Sequence, residues 1–385
     1  MLLAFGGQLI SQNSLFVDTT YFYAAEKNIK SQIEYEVKNG DTIKNGNALF
    51  YYINGNLMQT GTYFNDEMSG KWTTYYPDGI KKRESFYVYG LKNGKVTSYH
   101  TNGNIKYIGN FVDDSLSGEM ILYYDNGIVK EKRTYSKNKL NGITEGYFPN
   151  GIINYRIDFV DSIKNGIFQR YFSNGQIQED GHIKDESFYG DYKSYYRDGT
   201  LEKEYSYNGF EIDGTYIVYH DDGSLMIKAT YENGKIEGPY FKIYKNGIPY
   251  ETGNYKNGLR EGLWTTFFKD STIYMKGHYL HGEAQGFWNV YHSNGNLKQK
   301  GLYNQGVAQG VWKFYHENGQ LKIKGLYVDG KEDGHWVQFY DNGQVKLDLY
   351  YKMGKLEGLL TAYDEEGNIL EQAEFADNKM VRKIK

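Results

Sequence analysis

Apolar and polar positions along this chain repeat with a period of 24 residues, counted from a glycine that recurs from Gly46 to Gly358 as fourteen anchors. With each anchor as position 0, position 5 is Tyr in eleven repeats, Phe267 and Phe339 in two, and Ile243 in one. Position 17 is Tyr in ten repeats and Phe in three, with Ile183 the exception. Position 11 is aliphatic in twelve, the exceptions being Lys81 and Pro249. Two short apolar runs bounded by turn residues predict two strands per repeat. Positions 11 and 17 share parity and so share a face. Between them position 15 is often glycine (Gly61, Gly109, Gly253, Gly277, Gly301, Gly325). The missing side chain there leaves space for a neighbouring ring.

Positions 8 and 9 read Asn-Gly nine times and Asp-Gly three times. This predicts a two-residue type I′ hairpin turn, with positive φ at both residues. The linker over positions 18 to 24 is expected to form the wider return turn. The fold class that follows is all-β: an elongated single antiparallel meander, a solenoid of stacked 24-residue β-hairpin repeats. At two strands per repeat, fourteen repeats would extend on the order of 130 Å before twist. Residues 1–12 read as a candidate truncated signal segment, with an apolar stretch but no basic residue ahead of it. Residues 13–45 read as a degenerate N-terminal cap, 46–367 as the repeats, and 368–385 as a C-terminal cap strand and tail.

Composition narrows the functional classes. Lys and Arg total 44 against 48 Asp and Glu, a formal charge of −4, which gives no footprint for nucleic acid and makes a membrane-lipid surface an unfavoured partner. Cysteine is absent, excluding disulfides, thiolate metal sites and cysteine nucleophiles. No phosphate-cradling loop, nucleophile elbow or metalloprotease helix interrupts the rhythm, so no catalytic residue, metal or cofactor is expected and the chain reads as a non-enzyme. His100, His220, His292 and His316 fall at position 6, where other repeats have Tyr or Phe, and read as members of a ring ladder. Lys82, Lys106, Lys130, Lys298, Lys322 and Lys346, at position 12, read as a solvated edge.

The candidate contact strip is aromatic. Trp264, Trp288, Trp312 and Trp336 occupy position 2 of successive repeats, and parity places Phe268, His292, His316 and Tyr340 on the same face. Two accounts stay open, a core seam or an exposed platform for a partner strand or a sugar chain. The corresponding functions are a non-enzymatic scaffold binding another protein through an aromatic groove or sheet edge, and a cell-envelope carbohydrate-binding protein. Export to the periplasm, cell surface or medium fits the N-terminal segment, with a cytoplasmic placement also open.

With Gly at 0, an aromatic at 2, Tyr at 5, Asn-Gly at 8 and 9, an aliphatic at 11, Tyr at 17 and Gly at 20, stretches such as "GVWKFYHENGQLKIKGLYVDG" and "GFWNVYHSNGNLKQKGLYNQG" resemble the MORN-repeat variant family. The resemblance covers roughly residues 46 to 375. It implies hairpins stacked into a sheet that serves as a scaffold, and, for bacterial chains of this type, an antitoxin-like role with a protein partner. A weaker resemblance, through "YYDNGIVK" and "FYDNGQVK", is to the tyrosine-aspartate repeats of bacterial toxin shells.

Overall fold

The computed structural model describes residues 15–23 and 28–385, so the candidate signal segment at 1–12 lies outside the described residues. The chain divides into two units, Met1–Phe188 and Tyr189–Lys385. The described residues form 37 β-strands and no helix. Within each unit the strands run antiparallel, paired with their neighbours in sequence, as a meander of repeats requires. Residues 13–45 carry the strands Leu15–Tyr21 and Ile29–Lys38, which continue the same pairing. At the other end Ile369–Ala376 pairs with Lys379–Lys383.

One repeat of the second unit shows the design. Val307–Tyr315 and Leu321–Val328 pair from Gly310↔Tyr327 to Tyr315↔Leu321, skipping Lys322 as a bulge. On its other side the first strand faces Leu297–Asn304, and there Lys300↔Lys313 is followed by Leu302↔Gln309. Gly310, Val311 and Trp312 thus stand against Gly301 alone, which kinks the strand at the anchor. All fourteen anchors have φ between 65° and 129°, a region closed to most side chains. The strict 24-residue glycine rhythm is the requirement for that kink.

The two turns exchange the roles expected of them. At the Asn-Gly site Gly319 N–H donates to His316 O at 3.0 Å and His316 N–H to Gln320 O at 2.9 Å, enclosing a three-residue loop. Only the glycine is left-handed there (Gly319, φ 85°); Asn318 is not. This is a type I turn completed by a left-handed glycine, not type I′. Asn318 is used instead for its amide: Oδ1 accepts from Gln320 N–H at 2.9 Å and Nδ2 donates to Asp341 O of the next turn at 2.9 Å. The return linker is the tight turn. Asp329 (φ 47°) and Gly330 (φ 75°) form a two-residue loop between the paired Val328 and Lys331, with the two positive φ values of type I′.

Candidate functional site

The four tryptophans of the candidate strip are interior. Trp264, Trp288, Trp312 and Trp336 are 2, 7, 3 and 7% exposed. Each indole lies over the glycine at position 15 of the preceding repeat: a Cβ on Gly253, Gly277, Gly301 or Gly325 would come within 1.9 to 2.2 Å of a ring carbon. The space that glycine was expected to leave is therefore filled by these rings. The position-17 tyrosines interleave with them. Tyr303 meets Trp312 at 5.0 Å and 87°, Trp312 meets Tyr327 at 5.6 Å and 74°, and Tyr327 meets Trp336 at 5.1 Å and 85°. Such edge-to-face contacts set positive ring edges against negative faces. Trp264 keeps this cover, with Tyr255 at 5.0 Å and 86°, and adds Arg260, its guanidinium 4.0 Å from the indole centroid. A ligand has no open indole face to lie on.

Phe268, His292, His316 and Tyr340 do not join this seam. They lie half-buried at the turn edge, because the hairpin turn begins at position 6 and position 12 is bulged, so strand parity does not carry from position 2 to position 6. Each polar ring there donates to the carbonyl of position 5 in the next repeat: His292 Nε2 to Tyr315 O at 3.1 Å, His316 Nε2 to Phe339 O at 3.0 Å, and Tyr340 Oη to Tyr363 O at 2.8 Å. Histidine replaces tyrosine because both place an N–H or O–H donor at the far end of a flat ring. The lysines at position 12 lean back over these rings, as Lys82 does over Tyr76 (5.7 Å) and Lys346 over Tyr340 (5.2 Å).

Positions 1 and 16 lie outside the strip expected from the sequence. In the second unit these place Leu263, Phe287 and Val311 on the outer face of successive repeats at 50, 60 and 48% exposure. Phe287 pairs across the sheet with Leu302, Val311 with Leu326, and His335 stacks on Tyr350 at 4.8 Å and 24°. The signal was present as an apolar residue directly after the anchor in four of the last five repeats (Leu263, Phe287, Val311, Leu359). It was obscured because the kink makes the polar-apolar alternation around the glycine look irregular.

Polar chemistry is sparse. Lys71, with Lys81 and Tyr99, holds the Glu84 carboxyl down at about 2, so it stays ionised and carries no proton to give at neutral pH. Among the described residues no group of three His, Asp or Glu side chains is placed to hold a metal ion, and no helix is long and apolar enough to cross a membrane.

The model for the MORN repeat variant matches eleven segments that together make up more than half of the chain: 44–65, 68–89, 92–113, 116–137, 164–185, 188–208, 212–233, 280–305, 308–329, 332–353 and 356–377. No curated protein matches the chain. Among solved structures it is similar to TcdB2-TccC3-Cdc42 at 12% identity and a TM-score of 0.16, covering 90% of this chain and 24% of that one. It is also similar to TcdB2-TccC3 without its hypervariable C-terminal region, at 12% identity and a TM-score of 0.16, covering 96% and 23%. The chain thus spans about a quarter of the length of these solved chains.

Proposed function

Because the chain belongs to the MORN repeat variant family, we propose that it is a non-enzymatic repeat scaffold that binds another protein, with the outer apolar strip of the second unit as its contact surface. The observation that carries this is Phe287, the most exposed member of a strip in which Leu263 and Val311 are also about half exposed. A contiguous exposed apolar patch is unfavourable in water and marks an interaction site when framed by polar residues, and an exposed aromatic is the residue type that anchors such contacts. Here the frame includes Lys300, its ammonium 5.3 Å from the Phe287 ring centroid. The seam supplies rigidity: buried tryptophans fix the outer strip at a repeat spacing of about 10 Å.

A photo-crosslinking side chain at position 311 tests this in cells of the source organism. A discrete protein adduct is expected, and it should vanish when Phe287→Asp is added while the far-ultraviolet circular dichroism stays unchanged. The absence of any adduct, or an adduct insensitive to Phe287→Asp, rejects the strip as the contact surface.

A further inference from the structure

A cavity of about 500 Å³ opens at the hairpin-turn edge of the second unit, over residues 220–269. It coincides with the second place where the chain leaves its own pattern. The family model matches through residue 233 and resumes at 280, leaving 234–279 unmatched. Within that stretch Pro249 interrupts the aliphatic position 11 and Ser271 the turn glycine. Charge is also redistributed there. In the repeats that start at Gly310 and Gly334 position 7 is acidic (Glu317, Asp341) and position 12 is Lys322 or Lys346; at the cavity position 7 is Lys245 and Lys269, while position 12 is Met226 and Tyr250.

The walls have a definite chemistry. Tyr244 and Tyr250 meet at 5.2 Å and 72°, forming an aromatic corner. Lys242 places its ammonium 5.1 Å from the centroid of Tyr250, and Lys269 places its own 6.0 Å from that of Tyr244. Among the described residues neither of these two lysines has a carboxylate partner, whereas Lys245 is paired with Asp221. His220 is engaged, its Nε2–H donating to Ile243 O at 2.9 Å, and so is Asn246, whose amide donates to Lys269 O at 2.9 Å. What the cavity offers a ligand is therefore two ring surfaces and two unpaired ammonium groups. A neutral polar molecule would bring donors with few acceptors to meet them, and a bare anion would leave the rings unused. The volume falls within the range of small-molecule sites.

We propose that this cavity binds a small molecule carrying a carboxylate or phosphate on a six-membered ring, with a face of the ring in the Tyr244–Tyr250 corner and the anion facing Lys242 and Lys269. A charge-assisted contact to ammonium and ring stacking would both contribute to affinity.

Calorimetric titration of the full chain with phenyl phosphate, glucuronate, inorganic phosphate and benzyl alcohol tests the inference. One of the two ring-bearing anions is expected to bind at least ~10-fold tighter than inorganic phosphate and than benzyl alcohol. Phenyl phosphate alone identifies an aryl ligand and glucuronate alone a sugar acid. Lys242→Ala combined with Lys269→Ala should weaken binding ~10-fold or more, Tyr250→Lys should do the same, and Lys298→Ala should leave it unchanged. Tyr250→Lys restores the residue type found at 298, 322 and 346, so the hairpin is expected to fold. No binding by either ring anion, equal binding of inorganic phosphate, or undiminished binding by the double lysine variant overturns the proposal. Phe287→Asp should not alter this titration, so failure here and failure of the protein-binding strip are separate results.

Discussion

Two regions built on the same 24-residue plan fill their interiors in opposite ways. From Gly253 to Trp336 in the second unit position 15 is glycine and position 2 of the next repeat is tryptophan, as in Gly301 under Trp312, and the first unit has one such pair, Gly61 under Trp72. Three repeats further along the first unit the corresponding pair is Arg133 and Thr144, large and small exchanged. The apolar seam is replaced there by a polar cluster: Arg133 Nη2 and Glu131 Oε2 lie 2.6 Å apart, Tyr155 donates to Glu131 Oε1 at 2.7 Å, and Arg133 Nη1 donates to the Tyr135 hydroxyl at 3.3 Å. Thr144 is left with a buried hydroxyl that has no partner. The outer faces differ as well. Position 1 is Lys71, Lys95 and Glu119 in three successive repeats of the first unit before it turns apolar at Ile143 and Ile167, against Leu263, Phe287 and Val311 in three successive repeats of the second. The backbone rhythm thus fixes kinks, turns and pairing, while a volume-matched pair eleven residues apart decides whether the interior is dry or polar. The residues free to vary at position 1 decide what the outside can bind.

The largest expected effect follows from the volume match. In Gly301→Ala the new methyl would sit 2.0 Å from the buried ring of Trp312, which has no room to turn aside, and a loss of about 3 kcal/mol in local stability is expected. Gly109→Ala in the first unit meets Leu116 Cδ1 at 3.3 Å and Met120 Cγ at 3.6 Å, both on flexible side chains. That change should cost under ~1 kcal/mol or stabilise slightly, since alanine also restricts the unfolded chain. Amide hydrogen exchange in the flanking strands reads both. Equal protection factors in the two variants would mean that the tryptophan seam does not govern the second unit.

Next in size is the polar cluster. Glu131→Gln removes the charge that balances Arg133 and weakens the acceptor for Tyr155. Because Arg133 is about a third exposed, the cost should be nearer 2 kcal/mol than the full cost of breaking a buried pair. Burial first, and then the bond to Glu131, push the Tyr155 phenol well above its ordinary value, and the neighbouring Tyr147 is pushed up to about 12. A raised acid favours the protonated folded form. That contribution is complete below the unfolded value near 10 and is lost as pH rises through the folded one. Urea titrations from pH 9 to 12 should show the first unit weakening, and Tyr155→Phe should flatten part of that slope. An unchanged slope in the variant would contradict the assignment.

Much of this was legible in the sequence, for reasons that particular residues make clear. A kink that holds every anchor at positive φ keeps glycine at one place in each repeat, so the anchors marked the period, and with the Asn-Gly sites between them two strands per repeat. Gly301 and Trp312 similarly disclosed where space is left. The turn types were not legible, because Asn-Gly serves both a type I′ turn and a type I turn closed by a left-handed glycine. Loop length decides between them, and it depends on the pairing His316 makes with Gln320. The candidate strip failed as a surface for a related reason. Parity from Trp312 to His316 assumes an unbroken ladder, and the skipped Lys322 breaks it.

The smallest expected effect concerns the part the two units share. Polar rings at position 6 tie a hairpin to the next in both: Tyr124 donates to Tyr147 O at 2.8 Å in the first unit and His316 to Phe339 O at 3.0 Å in the second. If the edge is independent of what fills the interior, Tyr124→Phe and His316→Phe should each cost about 1 kcal/mol, the net worth of one such bond. His316→Tyr should cost less, since a phenol at this register reaches the same carbonyl, as Tyr340 does to Tyr363 O at 2.8 Å. Exchange rates at Tyr147 and Phe339, the residues whose carbonyls lose a partner, provide the comparison. A cost confined to one unit would show that the edge bonds depend on the interior beneath them, and that the two regions differ in more than their cores.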